Sequence, residues 1–574
     1  MTDTVARTIV SALADLGVAH VWGVVGDALN PLTEAIRTED RVEWIGVRHE
    51  EVAAFAAAAQ AQLTGRLGVC MGTVGPGSIH LLNGLYDAKK SRAPVLAICG
   101  QVPSEEIGSD YFQEVDNDRL FADVATSCRT LTTPAQMPYV LEQAINAAMS
   151  HRGVAVLTLP GDLGDQKMPK GSAKPRFAPP AVATAAPPAS VEEVARVVDQ
   201  AGKVTLLVGC GARDGRDEVL GLAERLQAPM VLTLKGKEGL EKENPYEVGQ
   251  SGLLGNPAAA KAMDDCDLLL MVGTDFPYRD WYPSGKTVVQ LDIAPSHIGR
   301  RTAVHHALVG DAAKTLRELT PRLAARTDSS HLEAATSAYR SWCERQQSLL
   351  DPDHDESLVG KVRAVFDNPD DRIRPEALAS ALDRYASDDA IFTSDTGMAT
   401  TWLARFISMR GSRRLLGSYN LGSMANAMPH ALGAQALDRD RQVVACCGDG
   451  GLMMLLGDLR TAVTHDLPVT FAVFDNGSLG MVKLEQEQGG LPEFGTALDN
   501  PDLAAVATAM GLAARRVTEP GHLDDAVRWA LAKRRPTLLD VVTNPNELAV
   551  PPKPKVGEGW GFAIAKVKES VESR

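Results

Sequence analysis

The stretch over residues 441–487, RQVVACCGDGGLMMLLGDLRTAVTHDLPVTFAVFDNGSLGMVKLEQE, restricts the possible folds more than any other. Two runs in it, 443–447 and 469–474, are apolar without alternation, the pattern of strands buried on both faces of a parallel sheet. The first ends in Gly448-Asp449-Gly450-Gly451 and the second in Asp475-Asn476-Gly477, with an amphipathic helical pattern between them. A strand–helix–strand unit brings both strand ends to one edge of the sheet, where open α/β sheets bind ligands. Asp449 and Asn476, 27 positions apart, then meet there. A carboxylate, an amide oxygen and a nearby backbone carbonyl are hard donors suited to Mg²⁺, which keeps positions open for phosphate oxygens. The glycines let the backbone approach a diphosphate, and the next helix offers unpaired N–H groups.

The N-terminal third repeats the alternation. Helical patterns are expected over 4–16, around Leu29, Leu32 and Ile36 behind Asp27, over 50–63 and over 79–89. Strand patterns are expected over 20–25, 42–47, 67–73 and 94–99, so a doubly wound parallel sheet follows. Arg48-His49-Glu50-Glu51 precedes an Ala-rich helix with small residues all round, suited to close packing. Glu50 and Glu51 either complement the positive helix terminus or supply a carboxylate for chemistry. Between the strand over 67–73 and the next helix lies Gly72-Thr73-Val74-Gly75-Pro76-Gly77-Ser78, a turn against which a flat ring can rest.

The length of 574 residues implies about three domains, and 45% hydrophobic with 23% charged residues is ordinary for a soluble globular protein. A formal charge of −15 argues against nonspecific nucleic-acid binding. The N-terminus lacks a basic segment followed by an apolar run, and no stretch reaches the length of a membrane span, so a cytoplasmic protein is expected. The eight cysteines show no metal spacing and read as reduced core residues.

Residues 170–190 are Pro- and Ala-rich and read as a linker. Beyond it a helix over 191–200 and a strand over 204–208 end in Gly209-Cys210-Gly211, but Asp214 occupies the third glycine position of a dinucleotide fingerprint, so no nicotinamide site is assigned. Asp292, at the end of a strand over 287–291, is placed to accept ribose hydroxyls. A polar tether over about 320–371 leads to a helix over 375–385, a strand over 390–393 and Ser394-Asp395-Thr396-Gly397.

Taken together, RHEEVAAFAA, GDALN, NGLYDA, YFQE, TDFPYR, GSMANAMPHALGAQ and CCGDGG resemble the thiamine-diphosphate-dependent decarboxylase and oxidase superfamily over roughly residues 3–562. Within it the resemblance is to the pyruvate oxidases, in particular the bacterial pyruvate dehydrogenases that reduce quinone. It implies three α/β domains with doubly wound parallel sheets: a pyrimidine-binding domain over 1–178, an FAD-binding domain over 190–340 and a diphosphate- and Mg²⁺-binding domain over 372–545, followed by a tail over 546–574. Thiamine diphosphate is then expected between the first domain of one subunit and the third of another, so at least a homodimer, and by family expectation a tetramer, is implied.

The resemblance also assigns roles. Glu50 is the carboxylate for the cofactor aminopyrimidine, with Thr73, Pro76 and His80 beside it, although His80 also reads as an ordinary helix-face residue. Phe112 and Gln113 line the substrate pocket. Met424 props the cofactor into its bent form, with Gly397, Gly422 and Ser423 nearby. Asp449, Asn476 and the Ser478 carbonyl hold Mg²⁺, and Gly450, Gly451, Gly477, Leu479 and Gly480 complete the diphosphate site. Met481 stands where some pyruvate oxidases carry a phenylalanine, and Asp475 where many relatives have an asparagine. Glu485 matches a pocket glutamate or is a solvated acid of the run EQEQ. FAD is assigned to Ser251, Gly252, Leu253 and Leu254, to Thr274, Asp275, Phe276, Pro277 and Tyr278, and to Asp292.

The implied reaction is oxidative decarboxylation of pyruvate to acetate and CO₂, with electrons passing through FAD to a quinone. An acetolactate-forming carboligase, a phosphate-dependent oxidase and a noncatalytic cofactor-binding relative are the alternatives. A narrow apolar stripe, Ile564, Val567 and Val571, allows only weak peripheral contact with the inner face of a membrane.

Overall fold

The computed structural model describes residues 4–177, 183–274, 276–348, 350, 368 and 372–547. Three parallel six-stranded sheets follow one another along the chain, so the fold is the α/β architecture expected. The first contains β1 (His20–Gly23), β2 (Glu43–Gly46), β3 (Gly68–Gly72), β4 (Val95–Gln101), β5 (Ala125–Thr130) and β6 (Val154–Pro160) in the order β2-β1-β3-β4-β6-β5. The second has β7 (Val204–Val208), β8 (Met230–Leu232), β9 (Glu247–Gln250), β10 (Leu268–Val272), β11 (Thr287–Asp292) and β12 (His306–Val309) in the order β12-β11-β10-β7-β8-β9. In the third, β13 (Ile391–Ser394), β14 (Arg414–Gly417), β15 (Val443–Gly448), β16 (Thr470–Asp475), β17 (Ala513–Val517) and β18 (Thr537–Val542) lie in the order β14-β13-β15-β16-β18-β17.

The first and third sheets share one topology. The second is the doubly wound order of dinucleotide-binding sheets read from its other edge, with the reversal between β7 and β10. Loops at such reversals diverge and leave a crevice, and each sheet places its glycine-rich strand ends there.

The Ala-rich segment forms α1 (Glu50–Thr64), ended by Gly65 in the left-handed region at φ 68°. Val52 to Ala61 are buried on every side. Small residues let three neighbours approach its backbone. A Cβ on Gly68 of β3 would lie 2.2 Å from Ala57 O, and one on Gly84 of α2 (Leu82–Ser91) 2.6 Å from Ala54 Cβ. On Gly433 of α3 (Ala427–Leu437) it would lie 2.3 Å from Ala56 O. The α1–α3 contact joins the first and third domains, and one apolar cluster runs across it from Trp22 and Val52 to Leu432, Val443 and Phe471. A buried contact, His430 Nε2 to Asp87 Oδ2 at 3.1 Å, crosses the same boundary.

Two helical expectations differ in detail. The helix expected over 79–89 is two, Pro76–His80 and α2, separated at Leu81, and the first begins earlier than expected because Pro76 suits its opening turn. The single helix expected between β15 and β16 is broken into α4 (Asp449–Met454) and α5 (Leu459–Thr464). Between them Asp458 turns inward, accepting the Arg48 N–H at 2.8 Å and the Thr461 hydroxyl at 2.7 Å. The tail from residue 548 and part of the tether lie outside the described residues. Among the described residues no helix is long and apolar enough to cross a membrane.

Candidate active site

β15 and β16 are neighbours in register, Gly448 opposite Phe474, so Asp449 and the 475–478 turn emerge side by side. Asp449 is buried, and its Oδ2 accepts the Gly477 N–H at 2.9 Å. Asn476 Oδ1 accepts the Ser478 N–H at 3.0 Å, closing a turn in which Gly477 adopts φ 62°. Leu479 N–H donates to Thr496 O and Leu498 N–H to Gly477 O, both at 2.8 Å, so a returning segment pins the turn. Burial, with the charge of Asp475 adding to it, pushes the Asp449 carboxyl up to about 6. A divalent cation at this edge would reverse that penalty, and the oxygen-rich donor set fits a hard cation.

Beside it lies a cradle of backbone and apolar groups. A Cβ on Gly450 would meet Leu498 Cδ1 at 3.0 Å, Leu479 Cδ2 at 3.2 Å and Met424 Cε at 3.5 Å. Met424 is half-buried, and Gly397, at φ 128°, turns the chain where a side chain would be strained. Asp395, absent from the sequence-based set of site residues, organises this cradle. Its Oδ1 accepts the Asn426 N–H at 3.1 Å and Asn426 Nδ2 at 3.3 Å, and a Cβ on Gly451 would fall 1.8 Å from its Oδ2. Burial pushes this carboxyl up to about 7. The only sequence signal was its place at a strand end.

In the first domain Glu50 is 7% exposed at the start of α1, with His80 Nδ1 2.9 Å from its Oε2. The His49 ring stacks on His80 with centroids 4.4 Å apart. A Cβ on Gly77 would lie 3.1 Å from Glu50 Oε1, so the carboxylate faces the Pro76–Gly77 turn. Thr73 Oγ1 is buried without a partner among the described residues. Gln113, at φ 68°, lies against Gly75, and Phe112 is 79% exposed. Contacts within the chain tie this region to the third domain, among them the Arg48 N–H to Asp458, and Asn83 Nδ2, which donates to Glu51 Oε1 at 2.7 Å and to Ser423 Oγ at 2.8 Å.

α6 (Gly480–Gln488) leaves the metal edge with Met481 half-buried against the Ile373–Val541 core cluster and Glu485 exposed. At the strand ends of the second sheet Ser251 and Asp292 are buried, and Ser251 Oγ and Gln250 Nε2 have no partner among the described residues. Asp292 Oδ1 holds His297 Nδ1 and the Ala294 N–H, each at 2.9 Å. Gly252, at φ 94°, lies under Phe276 and Tyr278, Thr274 Oγ1 accepts the Phe276 N–H at 3.1 Å, and Leu253 is exposed. Leu254 and Pro277 are half-buried, and Asp275 lies outside the described residues.

Sequence comparison defines the class to which this arrangement belongs. Residues 3–120, 191–319 and 395–541 match the N-terminal TPP binding, central and C-terminal TPP binding domains of thiamine pyrophosphate enzymes. The chain belongs to the thiamine-pyrophosphate-dependent enzyme family. It is 37% identical over 575 residues to the putative thiamine pyrophosphate-containing protein YdaP of Bacillus subtilis, covering 100% of this chain and 97% of the relative. It is 32% identical to pyruvate oxidase of Lactiplantibacillus plantarum, over 93% of this chain and 87% of the relative. With a probable acetolactate synthase large subunit of Methanocaldococcus jannaschii it shares 31% identity, over 96% and 94%.

Proposed function

We propose that the protein is a pyruvate oxidase that uses thiamine diphosphate, Mg²⁺ and FAD to convert pyruvate to acetate and CO₂ and passes the electrons to a quinone. The observation that carries this reading is the pairing of two ligand edges in one chain. The third sheet presents Asp449, Asn476 and Ser478 over an open glycine cradle, and the second has dinucleotide-binding strand order with buried Ser251 Oγ, unpartnered among the described residues, at its edge.

Asp449 and Asn476 would supply side-chain oxygens, and Ser478 a carbonyl, to a cation that neutralises a diphosphate. Gly422 and Gly448, where an added Cβ would meet no described residue within 4 Å, leave room for the phosphates, Gly450 and Gly451 begin the helix beside them, and Met424 limits how far the cofactor extends. Glu50, buried and oriented by His80, would present its carboxyl group to the aminopyrimidine ring for proton exchange. The cofactor, when bound, supplies an electron sink for decarboxylation. Phe112 and Gln113, beside the Gly75 turn, close the substrate side, and Met481 and Glu485 border it from α6. In the second domain Asp292 and Thr274 fit ribose and phosphate contacts of an extended dinucleotide.

Large apolar side chains left exposed, Phe494 at 85% and Phe112 at 79%, favour coverage by a second copy, and a homotetramer is the expected assembly. A cytoplasmic location with peripheral membrane contact suits a quinone acceptor. The acetolactate synthase relatives favour a second reading, in which two pyruvates are joined and the flavin takes no net electrons. Carbon-13 pyruvate supplied with the three cofactors and a soluble quinone separates the two. Labelled acetate with stoichiometric quinol supports the oxidase, whereas acetolactate with unreduced quinone rejects it.

A further inference from the structure

Asn500 lies beyond every motif that the sequence offered, yet it touches the metal edge directly. Its Nδ2 donates to Asp449 Oδ2 at 2.7 Å and to Asp475 Oδ1 at 3.0 Å. Both amide protons are therefore spent on carboxylates at the ends of β15 and β16. The chain around it is held: Leu498 N–H is bonded to Gly477 O, Pro501 follows, and Asp502 caps the Leu503–Ala509 helix by accepting the Ala505 N–H at 2.8 Å. Asp475 is anchored in turn. Its Oδ2 lies 3.3 Å from Arg516 on β17, and Arg516 also pairs with Asp540 on β18.

We propose that Asn500 is the positioning residue of the divalent-cation site. With the Gly477 N–H at 2.9 Å, it fixes Asp449 Oδ2 and turns Oδ1 toward the cation. A carboxylate rotates easily about its terminal bond, so a ligand with nothing on its second oxygen spends much of its time aimed elsewhere. The bridge to Asp475 supplies the fixed point from which Asn500 acts. A neutral amide is suited to this place, because it donates to two adjacent carboxylates without adding charge beside a cation. The inference rests on the reading of Asp449 as a metal ligand.

The test uses full-length protein with saturating thiamine diphosphate and Mn²⁺ as the probe, free Mn²⁺ being read by electron paramagnetic resonance. Asn500→Leu keeps the side-chain volume and removes both donors; it is expected to raise the Mn²⁺ Kd by about 10–100-fold, as loss of an outer-shell partner does. Asn500→Gln retains the amide and is expected to recover part of the loss. Asn500→Ser, with one donor, is expected to fall between wild type and the leucine variant, and it carries the test should leucine prevent folding. A general structural role would lower the melting temperature of the metal-free protein without this order of affinities. Unchanged Kd in the leucine or serine variant, with Asp449→Asn abolishing binding, overturns the role of Asn500 alone. Unchanged binding in Asp449→Asn overturns the metal reading and the inference with it.

Discussion

Gly451→Ala tests how the cofactor cradle is held together. The added methyl would lie 1.8 Å from Asp395 Oδ2 and 2.6 Å from its Cγ, far inside contact distance. Gly451 is fixed in the first turn of α4, so the carboxyl group must turn away. It then gives up the Asn426 N–H at 3.1 Å and Nδ2 at 3.3 Å. Above pH 7, where this carboxyl is charged, hydrogen bonds to it contribute about 1.5–3 kcal/mol each, so the loss is about 3–6 kcal/mol. The better helix propensity of alanine returns only about 1 kcal/mol. A net cost of about 2–5 kcal/mol lowers the melting temperature of a domain this size by about 4–20 °C. Calorimetry against Gly521→Ala, where nothing lies within 4 Å of the new methyl, isolates the effect. Equal melting temperatures for the two variants would refute the packing argument, and with it the role given to Asp395.

Gly433→Ala places a methyl 2.3 Å from Ala56 O at the α1–α3 crossing, and thermal unfolding should register a loss of about 1–3 kcal/mol from overpacking. Glu376 is buried at the start of the Pro375–Tyr385 helix, and burial, with the Glu547 charge adding to it, raises its carboxyl from 4.5 to about 8. The folded state therefore holds a proton that the unfolded state releases, and this contribution to stability is full below pH 4.5 and is lost as pH rises through about 8. Glu376→Gln should flatten the melting-temperature profile across that window; an unaltered slope contradicts the assignment. Glu50→Gln should lower turnover by about 10²–10⁴-fold, the range of general acid–base contributions, while thiamine diphosphate and Mn²⁺ still bind in a fluorescence titration.

Buried parallel strands were readable because their apolar runs do not alternate. The pattern over 204–208 coincides with β7, and those over 443–447 and 469–474 lie within a residue of β15 and β16. The broken helix after β15 was not readable, because its cause is a contact between Asp458 and Arg48, 410 positions apart. Strand order was equally hidden, since pairing depends on how the sheets wind rather than on any one segment. Within the site, the meeting of Asp449 with the 475–478 turn was legible because glycine-rich strand ends mark both, whereas the choice of Glu50 over Glu51 came from the resemblance and not from any local mark. Asp395 and Asn500 carry no such local mark: each acquires its role from a neighbour that another strand brings to the same edge. Gln113 beside Gly75 depends on a left-handed residue in a loop that periodicity does not describe.

The most direct test of the proposed reaction is an anaerobic one. Purified protein with thiamine diphosphate, Mg²⁺ and FAD is mixed with pyruvate while the flavin absorbance is followed, and a soluble quinone is then added. The account predicts bleaching on pyruvate, recovery on quinone and acetate as the product. A flavin spectrum unchanged by pyruvate, with acetolactate accumulating, would contradict it.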